Sequence, residues 1–364
     1  MGSGEARGMS DAAAMVRAFE IQAGACATFG SPFSAALLDR AARDIEAGGP
    51  LADLLAPWRG RSARVLVGEA VAIRWLGGAH DLVLSGEDPA LAHTYPAPGR
   101  PGDAEAAWSA LREAMIARPE RFATFMSHEP QTNEVRRSAC LLPGFLTIAR
   151  ETTLPLRLFE IGASAGLNQL WDRYHYDLGQ AGEWGDPGSP VRLDTAWSGP
   201  APPLEAAVSV ISRAACDRKP VDFRDPAARR RLEAYMWAGQ SERLARLDAA
   251  LAMALAADIR VEAEDAVTWT ARRAVPEEGA ATVLFHSIFW QYLPTETQAA
   301  LTAAVGDLGV RASATAPFAW LRMEPSPTSM ADVQLRLTLW PGGEDRLLAH
   351  VHPHGASVEW VAAA

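Results

Sequence analysis

The spacing of apolar and polar positions changes near residue 155. Before it, Ala12 to Ala27, Ser34 to Ala47, Asp103 to Ala117 and Thr132 to Arg150 are rich in Ala, Leu, Glu and Arg. Those are the better helix formers, at spacings that suit a helix. Gly77-Gly78, Gly86 and the cluster Tyr95-Pro-Ala-Pro-Gly-Arg-Pro-Gly102 read as loops between them. Residues 11–150 are therefore expected to form a helical cap, preceded by a small, polar, disordered leader over residues 1–10.

From Leu156 the pattern becomes strand and helix in alternation. Pro155 opens an apolar run containing Leu156, Leu158 and Ile161, which reads as a buried parallel strand. Val208 to Ile211, Ile259 to Ala263, Thr282 to Phe285 and Phe318 to Met323 supply further strands. A helix is expected over 167–174, and another after Asp225-Pro226, with the aspartate as N-cap and the proline at the first helical position. Gly239 breaks that helix, Leu244, Leu247, Leu251 and Leu255 stripe the next one, and Pro294-Thr295 opens a last one. Residues 174–203 fit neither rhythm and read as an inserted hairpin. Val333, Leu335, Leu337 and Leu339 alternate strictly, and Pro341-Gly-Gly343 turns the chain into Leu347 to Val351, a closing antiparallel hairpin. Residues 151–364 thus have an α/β outline. It is that of a class I methyltransferase-like, Rossmann-like fold: a mostly parallel seven-stranded sheet with a terminal antiparallel hairpin.

Composition narrows the function classes. The 364 residues are 49% hydrophobic and 21% charged, as in a globular soluble protein. No run reaches the roughly 18 apolar residues of a membrane span, and no signal-peptide or myristoylation pattern appears. Cys26, Cys140 and Cys216 lie far apart with no CxxC pair, so a reduced, cytoplasmic protein without a cysteine zinc site is expected. A net charge of −10 without a long basic run argues against nucleic acid as a partner. Arg229-Arg-Arg231 is better explained as a solvated helix face.

The candidate chemistry centres on Leu156-Arg-Leu-Phe-Glu-Ile-Gly-Ala-Ser-Ala-Gly-Leu-Asn168. A strand, a turn of small residues and a helix start let backbone approach a ligand and aim N–H groups at it. Open α/β sheets bind ligands at the carboxyl ends of their strands. Glu160, Asp217, Asp265 and His286 each end or follow a predicted strand.

Glu160-Ile-Gly162-Ala-Ser164-Ala-Gly166 resembles the class I methyltransferase fingerprint acidic–x–Gly–x–Gly–x–Gly, with Ser164 in the middle glycine's place. The resemblance implies S-adenosylmethionine as cofactor. It would be held by Glu160, Gly162, Ser164, Gly166, Asn168, Asp217, Asp265, Ala266 and His286, with Asp217 at the ribose and Asp265 at adenine. Glu160 and Asp217 are 57 residues apart, where about twenty is usual for such a fold, so Asp177 is the alternative ribose acid. A second similarity covers most of the chain. Gln131-Thr-Asn-Glu-Val-Arg-Arg-Ser138, Glu160 to Asn168, Trp171-Asp-Arg-Tyr174, Trp184-Gly-Asp186, Cys216-Asp217 and Trp320-Leu-Arg-Met-Glu-Pro325 resemble domain-of-unknown-function family 2332, an uncharacterised bacterial family.

On this reading the chain transfers a methyl group from S-adenosylmethionine to a small molecule. A base, where the acceptor needs one, would be His286, whose type titrates near neutrality, with Glu134 or Glu324 as alternatives. Asn133 and Arg137, on one helix with Glu134, together with Trp290 and Tyr292, would line the substrate pocket, an aromatic facing the sulfonium. Gly162-Ala-Ser164-Ala-Gly166 also fits a G-x-S-x-G nucleophile elbow, with Ser164 attacking an ester or amide and His350, His352 or His354 completing the order. The helical first half and the charge on Glu160 count against that hydrolase. A third reading is a non-catalytic protein that binds a nucleotide-like ligand. His350, His352 and His354 would share one strand face, but with no carboxylate pair beside them they are read as a polar hairpin face, and no metal is expected.

Overall fold

In the computed structural model, which describes residues 2–362 with side chains described from residue 11, helix starts fall where sequence chemistry puts them. The leader expected over 1–10 lies outside that fully described part. The chain divides into two units, Met1–Thr132 with Arg224–Ala245, and Asn133–Phe223 with Arg246–Ala364.

The first unit contains α1 (Gly2–Thr28), α2 (Pro32–Glu46), α3 (Pro50–Leu54), α4 (Ala63–Gly68), α5 (Val71–Leu84), α6 (Pro89–Thr94), α7 (Ala104–Ala117) and α8 (Pro119–Met126). Proline opens α2, α3, α6 and α8, where its missing N–H costs nothing. Asp88 and Asp103 cap α6 and α7 by accepting backbone N–H groups of the first turn. Phe19, Leu37, Leu38, Trp75 and Phe122 are fully buried in one core. Gly77-Gly78 is not the expected loop but lies inside α5. A Cβ on Gly77 would fall 2.7 Å from the Tyr235 ring and 2.8 Å from that of Phe125, so this glycine serves close packing.

The helix expected over 132–150 as part of the cap is α9 (Arg137–Thr152), which belongs to the second unit. Conversely, α10 (Pro226–Ala234) lies in the first unit against α5. Its Asp225 cap is as expected, accepting the N–H groups of Ala227 and Ala228. The next helix, α11 (Ser241–Ala256), buries Leu247 and Leu251 but leaves Leu255 exposed.

The second unit is mixed α/β with a large, mostly parallel sheet. Its strands are β1 (Leu156–Ile161), β2 (His175–Asp177), β3 (Glu183–Gly185), β4 (Arg192–Asp194), β5 (Ala196–Ser198), β6 (Val210–Asp217), β7 (Glu262–Ala263), β8 (Ala281–Ser287), β9 (Phe318–Ser326), β10 (Ser329–Trp340), β11 (Glu344–Val351) and β12 (Ser357–Trp360). Nine of them form one sheet, ordered β5-β12-β11-β10-β9-β8-β1-β6-β7, rather than the expected seven. Strands β7, β6, β1, β8 and β9 run parallel, and β9 to β12 form an antiparallel meander.

The additional strands are short and were not legible. β12 follows the expected closing hairpin, and β5 comes from the insert to pair with it. The insert is more than a hairpin: β2 pairs antiparallel with β3 and parallel with β4 in a separate three-stranded sheet. Three other elements differ from expectation, the first being the strand expected at 208–211, which runs instead as β6 over Val210–Asp217. The helix after β1 is a 3-10 helix, Leu167–Arg173, interrupted at Leu170, and of the strand expected at 259–263 only Glu262–Ala263 pairs.

Alternation along the central strands sorts side chains to two faces. Phe159, Ile161, Leu284, Phe318 and Trp320 pack with Trp269 of α12 (Ala266–Arg273) and with Leu301, Val305 and Leu308 of α13 (Thr295–Val310). The other face is covered by α9. There Phe145 stacks on Trp171 at 4.2 Å and meets Phe285 edge-on at 5.1 Å. Gly144 sits so close to Leu321 that a Cβ would fall 2.4 Å from it.

Candidate functional site

The strand order reverses at β1: the chain steps outward to β6 and β7, then returns on the other side as β8 and β9. Ligand crevices of doubly wound sheets form at the carboxyl ends of strands beside such a reversal. The Gly162–Gly166 turn leaves β1 at that point, with Gly162, Ser164 and Gly166 at φ of 65°, 54° and 74°. For glycine this region costs nothing, but for Ser164 it costs about 1–2 kcal/mol.

Surrounding bonds hold the turn. Ser164 N–H donates to Asp217 Oδ2 at 2.9 Å, and Val221 N–H donates to Ser164 O at 3.1 Å. Leu167 N–H donates to Asn133 Oδ1 at 2.9 Å, and Ser138 Oγ donates to Asn168 Oδ1 at 2.8 Å. Asp217, expected at a ribose, and Asn133, expected at a substrate, thus both grip the turn's own backbone. Asp217 Oδ1 accepts the Lys219 N–H as well. Gly162 is slim because the Phe289 ring lies against it, 2.1 Å from where a Cβ would stand. Gly166 makes room for Gln169, Val261 and Ile259.

The expected site residues fall into two groups on opposite faces of the sheet. On the α9 face, Glu160 is 3% exposed, and its Oε2 has no hydrogen-bond partner. Burial, reinforced by Asp217, lifts its pKa well above the usual 4.5, and Arg137 opposes the rise. Ser164 Oγ and Gln169 Nε2 are also buried without a partner. Arg137 spans outward, donating from Nε to Pro353 O at 3.0 Å and from Nη1 to Ser287 O at 3.4 Å. Asn133 and Glu134 precede α9 instead of sharing a helix with Arg137. Glu134 is buried, accepts the Arg136 N–H at 3.2 Å and lies 3.7 Å from His354 Nδ1.

On the α13 face, the His286 ring is fully engaged. Trp320 Nε1–H donates to His286 Nε2 at 3.2 Å, and Nδ1 lies 2.6 Å from Glu324 Oε1. An indole nitrogen only donates, so Nε2 accepts and Nδ1 carries the proton given to Glu324. Both nitrogens of the expected base are committed to protein partners, as is the alternative base Glu324. The Glu324 oxygens also accept the Phe289 N–H at 3.0 and 3.1 Å. Trp290 stacks on His286 at 5.8 Å and 14°, whereas Tyr292 is 68% exposed.

The remaining candidates are more exposed. Asp265 caps α12 by accepting the Thr268 N–H at 2.9 Å, which holds its carboxyl below the usual range, and Ala266 is the first residue of that helix. Asp177 accepts the Gly179 N–H on the exposed end of β2. His350 pairs with Asp332 at 2.6 Å on β11. His352 and His354 lie beyond the strand, and burial pushes the His352 pKa down. Among the described residues no group of three or more His, Cys, Asp and Glu side chains is placed to hold a metal ion. None of the helices there is long and apolar enough to cross a membrane.

Phe289, Trp320, Ser138 and Gln169 shape this region and were missed as site residues. Trp320 and Ser138 stand inside the very segments that carried the family resemblance, and Gln169 follows directly on another. That was the available signal. The chain belongs to DUF2332, described as an uncharacterized protein conserved in bacteria. The family model matches residues 16–360, so both units and the insert are family features. No curated protein and no solved structure matches the chain.

Proposed function

We propose that the chain binds S-adenosylmethionine at the carboxyl ends of β1, β6 and β7 and transfers its methyl group to a small molecule. One observation carries the reading. At the reversal point of a doubly wound sheet, Glu160 Oε2, Ser164 Oγ and Gln169 Nε2 are buried with no partner in the protein. Buried polar atoms are nearly always paired, so three unpaired ones around a single turn are the acceptors and donor a polar ligand would complete.

The acids nearby suit such a ligand. Each Asp217 oxygen has accepted one backbone N–H and keeps a lone pair for a ribose hydroxyl. Asp265 is exposed beside it in strand order. The glycines suit it less, since Phe289 occupies the open side of Gly162. When bound, S-adenosylmethionine supplies a methyl group already activated as a sulfonium. The chain's part is to align the reactants and exclude water. His286, with both nitrogens engaged, shapes the loop after β8 instead of taking a proton, so the acceptor fitting this reading needs no histidine base.

Calorimetric titration with S-adenosylmethionine and S-adenosylhomocysteine tests the reading. Heat with both, weakened in Asp265→Ala, is expected. No heat with either ligand ends it. A second reading, Ser164 as an acyl nucleophile, draws on its left-handed backbone and unpartnered Oγ. Among the described residues, however, no strand precedes β1 and no histidine bonds that Oγ. Labelling of Ser164 by a fluorophosphonate would promote it over methyl transfer.

A further inference from the structure

The segment after β8 carries three unusual features in two residues. Ile288 has φ of 50°, a conformation in which a β-branched residue is an outlier. Such backbone persists only where its surroundings hold it, and it gathers at clamps and switches. Here the Ile288 N–H donates to Met323 O at 2.9 Å, and the next N–H, of Phe289, is shared by both oxygens of Glu324. The third feature is the half-buried Phe289 ring, which lies across Gly162.

We propose that Phe289 is a displaceable plug over the Gly162–Gly166 turn and that Glu324, oriented by His286, is its latch. The proposal rests on the reading of that turn as a ligand site and adds what controls entry to it. The carboxylate makes two contacts to a single N–H, and His286 Nδ1–H fixes its orientation, with Trp320 fixing His286 in turn. Releasing that N–H lets Ile288 leave its strained conformation and carries the ring off Gly162. The space it vacates adjoins a turn whose Ser164 Oγ is unpartnered. A ligand that fills this space is matched to a flat apolar surface the size of the phenyl ring, flanked by polar groups. The closed state therefore sets the apparent affinity, because binding is weakened by the fraction of molecules that are open.

Hydrogen exchange on the full chain separates latch, plug and ligand. In Glu324→Gln the charge is lost but the shape is kept, so the Phe289 amide should exchange about tenfold faster, as expected when a charged acceptor becomes neutral. Amides of β8 and β9 should keep their protection. In Phe289→Ala the Gly162–Gly166 amides should exchange faster, and S-adenosylhomocysteine should bind about tenfold tighter than to the unaltered chain. Unchanged exchange at Phe289 in Glu324→Gln overturns the latch, and unchanged exchange of the turn in Phe289→Ala overturns the plug. If the turn opens in Phe289→Ala while S-adenosylhomocysteine binds neither protein, the plug stands and only the methyl-donor reading falls.

Discussion

The two faces of the sheet at the end of β1 and β8 treat their polar groups in opposite ways. On the α13 face, His286, Glu324, Trp320 and the Phe289 N–H form a closed chain in which each donor meets an acceptor. On the α9 face Glu160 leaves a buried oxygen without a partner, and Ser164 and Gln169, in the turn and the 3-10 helix that follow β1, each leave a buried atom unpaired as well. Both faces are buried, so exposure does not explain the contrast. A satisfied network fixes one conformation, whereas an unsatisfied cluster costs stability in the isolated chain. The histidine expected as the base thus has both ring nitrogens bonded within the protein, while the glutamate across the sheet keeps an unpaired oxygen.

Breaking the satisfied side should have the largest effect. His286→Ala strands the Glu324 carboxylate and the Trp320 N–H in a buried site, and a loss of about 3 kcal/mol is expected in urea unfolding. A smaller loss, about 1.5 kcal/mol, is expected for Asp217→Asn, because one amide oxygen cannot replace both acceptors for the Ser164 and Lys219 N–H groups. Glu160→Gln should act in the opposite direction and only in a pH window. Burial and the neighbouring Asp217 raise the Glu160 pKa above its usual 4.5. Below pH 4.5 both folded and unfolded chains carry the neutral acid. As pH rises past that value the unfolded chain ionises first, so stability drains away until the folded value is passed. Urea midpoints of Glu160→Gln and the unaltered chain should therefore agree at pH 4 and separate at pH 7, the variant being the more stable. A variant equal to the unaltered chain at both pH values would mean that Glu160 is paired after all. Tyr292→Ala, at a side chain 68% exposed, should shift stability by less than about 0.5 kcal/mol.

Legibility followed the length of the sequence signal. The core strands β1, β8, β9, β10 and β11 were visible because four or more apolar positions repeat in each neighbourhood, and the helix starts at Asp225 and Pro294 were visible because an aspartate cap and a proline's fixed backbone are local chemistry. β5 and β12, of three and four residues, carry too little periodicity, and only distant partners make them strands. Gly77-Gly78 looked like a break because its reason, the Tyr235 ring, lies far along the chain. Glu160, Asp217 and the slim turn were found as a group, but the bond from the Ser164 N–H to Asp217 was not legible. That Asp217 accepts the Ser164 N–H depends on where two strand ends come to rest.

The sequence by itself determined the helical first part, the parallel core after Leu156, the turn of small residues at Gly162–Gly166 and the membership of DUF2332, since each rests on local residue chemistry or on a long matched pattern. Only the tertiary structure decided that α9 covers the sheet, that β5 and β12 extend it, that His286 is held by Trp320 and Glu324, and that Phe289 fills the space Gly162 leaves. Those facts depend on which side chains meet across long stretches of chain, and hydrogen bonds and close packing are settled by that meeting, whatever letters stand beside them in the sequence.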